Sequence, residues 1–226
     1  MRSYRSDSRG SMGPPVITLT TAMVLAVVIH STAFAQHSRP ASPAGNSAVE
    51  VGGRYDVREG YGGGGWIEVK YGRPIRRGRS LFAPADYADA LNDGAPVWRA
   101  GANVSTRLST EVPIGMGGTT IPPGEYTLFI DLHAEPWTFI VSTWPVLTEI
   151  DASWPGDEDK IEALFGAYYY TLDRDLLRVP MTVTTLQHSF EQLSWQFLDV
   201  TESGGTLAML WETTMASVSF TLERQP

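Results

Sequence analysis

Residues 104–112 read VSTRLSTEV, and this stretch decides the fold class. Apolar or β-branched side chains stand at every even-numbered position, and polar or charged side chains stand between them. Successive side chains of a β-strand point to opposite faces of a sheet. A period of two therefore predicts a half-buried strand with one face toward a core.

The same period of two recurs along the chain, in short segments separated by turn sequences such as Gly117-Gly118 and Gly204-Gly205. Many short alternating strands are typical of antiparallel sandwiches and barrels. We therefore predict an all-β or mainly β fold, either an antiparallel β-sandwich or a jelly-roll-like barrel. The further predicted strands are Ile67–Tyr71, Tyr126–Leu132, Trp137–Val141, Leu177–Val183, Leu193–Phe197, Thr206–Glu212 and Val218–Leu222.

One or two short helices interrupt the strand pattern. The first is predicted around Pro84–Leu91, and the second runs from about Asp157 to Phe165. Asp159 and Glu162 resemble a capping box at the start of the second helix, and Gly166 stands where a helix commonly ends.

The first 35 residues have the pattern of an export signal. Three arginines occur among the first nine residues, an apolar run covers Val16–Ile29, and Ala33–Ala35 gives the small-x-small pattern of a cleavage site. Fourteen residues are too few to cross a bilayer, which favours a cleaved signal over a retained anchor. We predict export to the periplasm or the extracellular space, with Gln36 as the mature N-terminus and no membrane span afterwards.

Residues 36–65 are punctuated by proline and glycine and predict a flexible arm, and residues 66–226 predict a single β-rich domain. Val49, Val51, Tyr55 and Val57 leave open the alternative that the arm adds one edge strand.

The motif Gly60-x-Gly62-x-x-Gly65 matches the dinucleotide-binding fingerprint letter for letter. That fingerprint requires a strand before it and a helix after it, because the helix N-terminus holds the pyrophosphate. Here a predicted strand follows instead. We interpret this glycine-rich stretch as a hinge.

Charge and cysteine content exclude several classes of function. The chain has 226 residues and a net charge of −8, which becomes −10 once three arginines and one aspartate leave with residues 1–35. An acidic chain lacks the basic footprint of a nucleic-acid-binding protein. Because no cysteine is present, thiol catalysis, disulfides and cysteine-ligated metals are excluded.

A basic loop stands out against this acidic background. Five positive charges fall within residues 70–79, and we predict Tyr71, Arg73 and Arg79 as ligand-binding residues. The guanidinium group is a planar fork that matches a carboxylate or a phosphate. The alternative is structural: these arginines pair with the chain's surplus acids, for example in the segment Glu149–Glu162.

A second cluster lies in the loop Val97–Thr106. Trp98, Arg99 and Asn103 offer an aromatic face, a charged fork and an amide, a combination that suits a sugar or a carboxylate. The structural alternative places Trp98 in the core and uses Arg99 and Asn103 to bond buried carbonyl groups of the loop.

His133 stands between Asp131 and Glu135, a spacing that on a regular strand places all three side chains on one face. Such a set is able to ligate a divalent metal. The segment precedes Pro136, however, and solvated polar residues are usual in a hairpin turn. We favour the turn, and we predict no metal and no cofactor.

These segments resemble a bacterial family of exported domains catalogued as domain of unknown function 2911. The resemblance covers about residues 39–222 and implies an exported, β-rich domain without assigning any catalytic residue. Its most specific part is the Trp-Arg-x-Gly-Ala-Asn core, Trp98–Asn103. The matching pieces are Tyr71–Pro74, Gly78-Arg79 with Phe82, Val97–Asn103 with Thr106, Ile121–Leu128, Trp137–Ile140, Gly166–Tyr168, Leu177–Val179 and Trp211-Glu212.

The function predicted from these observations is non-catalytic binding of a small anionic or sugar-like ligand, or of a cell-envelope partner. No nucleophile elbow, zinc-protease motif or phosphate loop is present, and no catalytic residue is identified. The alternative is a hydrolase using Asp or Glu as acid and base, either metal-assisted through His133 or through carboxylates that meet in space. The candidate carboxylates are Glu68, Asp131, Asp199 and Glu212.

Overall fold

The computed structural model describes residues 41–144, 167 and 170–222. Within these residues the chain is built mainly of strands, with one short α-helix and one turn of 3₁₀ helix. In chain order the elements are β1 (Ala44–Val51), β2 (Arg54–Asp56), β3 (Gly60–Gly62), β4 (Gly65–Gly72), α1 (Tyr87–Asn92), β5 (Thr106–Thr110), β6 (Ile114–Met116), β7 (Thr119–Ile121), β8 (Gly124–Asp131), β9 (Thr138–Ser142), the 3₁₀ helix (Leu172–Arg174), β10 (Asp175–Pro180), β11 (Thr182–Thr201) and β12 (Gly204–Leu222).

The strands form two antiparallel sheets and one separate hairpin. The large sheet has the order β1-β4-β5-β8-β9-β10, the small sheet has the order β11-β12-β6-β7, and β2 pairs only with β3. This arrangement confirms the prediction of an antiparallel all-β sandwich. No helix in the described part of the chain combines the length and the apolar character needed to cross a membrane.

The main core lies between the two sheets. In β4, Ile67, Val69 and Tyr71 are buried in this core, as their period of two predicts. The small sheet contributes Trp195 and Trp211, which are almost fully buried. Burial of side chains this large supplies the main favourable free energy of folding.

A second cluster of buried side chains covers part of the outer face of the large sheet. Val97, Phe129, Ile140 and Tyr170 belong to this cluster, and the rings of Phe129 and Tyr170 meet edge to face at 5.2 Å. The middle of β8, Tyr126–Ile130, is therefore buried on both faces. We call this group of residues the outer-face cluster.

Most of the predicted elements that lie in the described residues are present with shifted bounds. The predicted strand Leu177–Val183 is divided between the end of β10 and the start of β11, which belong to different sheets. The helix predicted at Pro84–Leu91 is present as α1, whereas the helix predicted at about 157–165 lies outside the described residues. The three short strands predicted after Leu193 are parts of two long strands, β11 and β12. Register shifts in β11 on both sides of Phe190 interrupt the alternation of side chains, although the strand itself continues.

Part of the segment predicted as a flexible arm forms the edge strand β1, which pairs with β4 along its whole length. β1 contains several small residues, so its sequence has little of the apolar alternation that predicts a strand. Gly45 shows why one of these residues is small. A Cβ atom at Gly45 would lie 2.4 Å from Cδ of Arg73, whose stem packs over this position.

Gly72, the last residue of β4, packs directly against the loop Trp98–Asn103. A Cβ atom there would lie 1.8 Å from the carbonyl oxygen of Ala102. We expect Gly72→Ala to lower the free energy of unfolding by about 3 kcal/mol, because backbone rather than a flexible side chain must move. Urea denaturation measures the change.

Gly62→Ala is the matched control, because a Cβ atom at Gly62 meets nothing within 4 Å. It should change the free energy of unfolding by less than about 0.5 kcal/mol. Equal effects of the two substitutions would contradict the proposed contact between β4 and the loop.

Candidate functional site

The basic loop that follows β4 lies along the edge of β11. The backbone N–H of Arg76 donates to the carbonyl of Glu191 at 2.7 Å, and the N–H of Leu193 donates to the carbonyl of Pro74 at 3.1 Å. Ile75 and Gln192 form an isolated antiparallel bridge between these two bonds. The loop is thus fixed to the small sheet while β4 belongs to the large one.

Two of the predicted ligand-binding arginines donate to backbone carbonyl groups. Nε of the half-buried Arg73 donates to the carbonyl of Leu193 at 3.4 Å. The exposed Arg79 donates from Nε to the carbonyl of Arg76 at 2.9 Å and from Nη2 to the carbonyl of Ile75 at 2.8 Å. Both side chains therefore help to hold the loop in shape.

Arg76 forms an ion pair of the kind that the structural alternative predicts, with Glu212 as its partner. Its Nη2 lies 3.3 Å from Oε1 of Glu212, while Oε2 of Glu212 accepts the backbone N–H groups of Leu81 at 3.0 Å and Phe82 at 3.4 Å. Glu212 has a φ of 53°, at an irregular point of β12. The segment 149–162, predicted to supply acidic partners, lies outside the described residues.

Trp98 and Tyr71 lie in the core. Trp98 exchanges two backbone hydrogen bonds with Ile130, at 2.8 and 2.9 Å, and only 2% of its surface is exposed. Its ring stacks on Trp211 with 6.1 Å between centroids and 10° between planes. Tyr71 is 5% exposed in the same core. The aromatic faces of these residues are occupied by protein.

The rest of the loop is fixed by hydrogen bonds at four points, one of which is the carbonyl of Arg99, which accepts the N–H of Thr106 at 3.3 Å. The carbonyl of Ala100 accepts Oγ1 of Thr106 and Nε1 of Trp195, both at 3.0 Å. The N–H of Ala102 donates to the carbonyl of Gly72 at 3.2 Å, and Nδ2 of the exposed Asn103 donates to the carbonyl of Ser42 at 3.0 Å.

Arg99 differs from its neighbours. Trp98 and Ala100 belong to the core between the sheets, so side-chain alternation assigns Arg99, like Val97, to the outer face of the large sheet. Its Nε is buried and has no hydrogen-bond partner. Among the described residues, none of the ion pairs involves Arg99. A buried donor without a partner is unfavourable, and this one belongs to a cation.

A hydrogen-bonded network borders the same outer-face cluster. Nη2 of Arg178 lies 2.8 Å from Oδ2 of Asp131, and its Nη1 lies 3.2 Å from Oδ2 of Asp175. The hydroxyl of Tyr170 donates to Oδ2 of Asp175 and accepts Nη1 of Arg178 at 2.7 Å. Burial, and then the bond to the Asp175 carboxylate, raise the pKa of Tyr170.

The residues Asp131, His133 and Glu135 do not form a metal site in the described part of the chain, where no three such side chains are suitably grouped. Asp131 binds Arg178, and its Oδ1 accepts the backbone N–H of His133 at 3.1 Å. The His133 ring instead lies 3.4 Å from Oδ1 of Asp89 and 3.3 Å from Nδ2 of Asn92. The segment joins β8 to β9 as a hairpin connection.

The structure therefore separates the predicted site residues by role. Tyr71 and Trp98 are core residues, and Arg73, Arg79 and Asn103 donate to carbonyl groups. Of the three predicted arginines, Arg99 is the one whose Nε is buried without a hydrogen-bond partner among the described residues. The binding role of all six stays a prediction.

The described residues thus form an all-β sandwich in which hydrogen bonds hold the loop Trp98–Asn103 against the last residue of β4 and against Trp195 of β11. The family model described as "Protein of unknown function (DUF2911)" matches residues 56–220. The chain belongs to this family. Comparison with curated proteins and with solved structures found no match.

The pKa shift of Tyr170 predicts a loss of stability at alkaline pH. Because folding raises its pKa above the ordinary value of 10.0, the phenol stays protonated in the folded state while it ionises in the unfolded state. The free energy of unfolding should therefore fall as pH rises above about 10, by up to about 1.4 kcal/mol per pH unit.

Urea denaturation at a series of pH values tests this, with Tyr170→Phe as the variant. The variant should lose part of the alkaline slope, whereas Tyr55→Phe, at a tyrosine 73% exposed, should keep it. A slope unchanged in Tyr170→Phe would show that Tyr170 does not titrate in this way.

Proposed function

We propose that this protein is a non-catalytic binding module for a small anionic ligand, and that Arg99 recognises the anion. The observation that carries the proposal is the buried Nε of Arg99, which has no hydrogen-bond partner among the residues that the structure describes. A ligand carboxylate or phosphate would supply an acceptor for this N–H and a negative charge beside the guanidinium.

The chemistry of Arg99 favours an anion over a neutral ligand. A guanidinium donates two parallel hydrogen bonds to a carboxylate or phosphate, and these charge-assisted bonds are stronger than neutral ones. Partial burial strengthens them further, because the local dielectric constant is lower than in water. The loop is held at Ala100 and Ala102, which keeps the arginine in place before a ligand arrives.

Recognition of a sugar by stacking has less support than recognition by charge. Trp98, the aromatic residue of the loop, is stacked on Trp211 inside the core. A sugar ligand is therefore favoured when it carries an acidic group that Arg99 is able to bind.

The hydrolase alternative gains no support from the carboxylates named for it. Glu68 lies 2.7 Å from Lys70, Asp131 pairs with Arg178, and Glu212 pairs with Arg76. Each of these three acids thus has its own basic partner, and the fourth candidate, Asp199, is exposed on β11.

The proposal includes export, with the binding domain released after Ala35. Expression of the full gene in a bacterial host, followed by N-terminal sequencing of the protein outside the cytoplasm, should give Gln36 as the first residue. Recovery of the chain from the cytoplasm with residues 1–35 attached would contradict it.

Calorimetry with inorganic phosphate, acetate and glucuronate tests the binding function, with glucose as the uncharged counterpart of glucuronate. At least one anion should bind the parent protein and raise its Tm, and glucose should not. Arg99→Gln should weaken that binding by about tenfold or more, and Arg99→Lys should weaken it less, because it keeps the charge without the planar fork.

Arg107→Gln is the matched control. Arg107 is on β5 of the same sheet, but it pairs with Glu125, so its loss should leave anion binding unchanged. Arg99→Gln should not lower the free energy of unfolding, since it removes a partly buried charge that forms no ion pair within the described residues. Anion binding that is equal in parent and Arg99→Gln, or absent from the parent, would overturn the proposal.

A further inference from the structure

A cleft of about 910 Å³ lies at the end of the sandwich opposite the basic loop. Gly65, the first residue of β4, lines this cleft, whereas Gly72 at the other end of β4 contacts the loop Trp98–Asn103. The eight residues of β4 span about 23 Å between these two places. The cleft is therefore independent of Arg99, and its volume is in the range of small-molecule sites.

The lining of the cleft combines an apolar floor with a polar rim. The floor consists of Val51, Val112, Val200 and Leu222. The first of these is 4% exposed in the main core, and the other three pack against that core. The floor is thus part of a rigid scaffold.

The β2–β3 hairpin borders the cleft and is joined to the sandwich through glycine on both sides. Gly52 and Gly53 precede it, and Gly63 and Gly64 follow it. Gly52 and Gly63 have φ values of 74° and 79°, in the region that favours glycine, and a Cβ atom at either would meet nothing within 4 Å. The stretch Gly60–Gly65, predicted as a hinge, includes this second connection, but its first three residues form β3 and its last residue begins β4.

The hairpin has the features of a separate moving part. All three residues of β2 are exposed, and β3 is its strand partner. At the tip, Oδ1 of Asp56 accepts the N–H groups of Arg58 at 2.7 Å and Glu59 at 3.0 Å, so the turn is stabilised by its own residues. Rotation about the glycines leaves these internal bonds intact.

The hairpin presents different residues on its two faces. Arg54 lines the cleft, and Gly62, its partner in the register, has no side chain. Tyr55, the next residue, is on the opposite face and is 73% exposed. The face toward the cleft therefore carries Arg54 and Asp56, each opposite a glycine of β3.

The charged residues on the rim of the cleft indicate the charge of the ligand that it would bind. Among the described residues, three carboxylates line the cleft, from Glu50, Glu111 and Glu202, together with one arginine, Arg54. Oε1 of Glu50 accepts the N–H of Gly64 at 3.1 Å and Oε2 of Glu111 accepts the N–H of Trp66 at 2.9 Å, which fixes two of the three. The excess negative charge next to an apolar floor is complementary to an organic cation.

We propose that this cleft binds a small organic molecule carrying a protonated amino group, and that the β2–β3 hairpin is a flap that closes over it. The floor contacts the carbon skeleton, the carboxylates pair with the amine, and the glycine connections allow closure. This site and the anion site at Arg99 are separate functions of opposite charge preference.

Hydrogen exchange of the full chain, followed by mass spectrometry, tests the proposal with glucosamine and with its uncharged counterpart N-acetylglucosamine. Glucosamine should slow amide exchange in residues 52–64 several-fold at a pH where its amine is protonated, and N-acetylglucosamine should not. The slower amide exchange must extend to residues 55–61, which do not line the cleft, because closure covers the whole hairpin.

The double variant Glu111→Gln/Glu202→Gln should weaken glucosamine binding by about tenfold or more. Glutamine at position 111 keeps an oxygen that accepts the N–H of Trp66, so folding should be preserved, and a Tm near that of the parent checks this. The control Glu125→Gln removes a carboxylate on β8 outside the cleft and should leave binding unchanged.

Three results would overturn the proposal. Equal effects of the two sugars, or equal binding by the parent and the Glu111→Gln/Glu202→Gln variant, would exclude a site for an organic cation. Protection confined to residues 50–53 and 63–65 would exclude closure of the flap. Arg99→Gln separates this test from the anion proposal, since it should leave the response to glucosamine unchanged.

Discussion

The hydrogen bond from the indole of Trp195 to the carbonyl of Ala100 joins the two halves of this structure. It connects β11 of the small sheet to the loop that leads into β5 of the large sheet, at 3.0 Å within the core. Ala100 has a φ of 55°, and a second bond from Thr106 holds the same carbonyl. With Ala100 fixed in this way, Trp98 is directed into the core and Arg99 away from it.

The basic residues of the chain serve several distinct purposes. Arg76 joins the loop after β4 to Glu212 on β12, Arg73 and Arg79 bond carbonyl groups, and Arg178 links two carboxylates beside the outer-face cluster. These contacts account for most of the cluster of charge as a set of structural fasteners. Within the described residues Arg99 forms no ion pair and its buried Nε has no acceptor, and the proposed binding role rests on this contrast rather than on the density of arginines in the sequence.

A strand could be predicted from the sequence when one of its faces is buried and the other is exposed to solvent. β4 and β5 have one face in the core and one toward solvent, so their alternation was visible. In β11, bulges shift the register, and the alternation disappears. In the site, local composition identified the loop at Trp98, but the bond between Trp195 and Ala100 joins residues 95 positions apart. Only the folded chain shows which side chains such contacts leave unpaired.

The two edge strands of the large sheet, β1 and β10, carry residues that oppose pairing with another molecule. β10, at one edge, ends in Pro180, which has no N–H to donate, and carries the charged residues Asp175 and Arg178. β1, at the other edge, carries Glu50. Proline and charge at sheet edges oppose the addition of further strands. Growth of the large sheet from molecule to molecule is therefore disfavoured at both of its ends, by features of the strands themselves and without any disulfide.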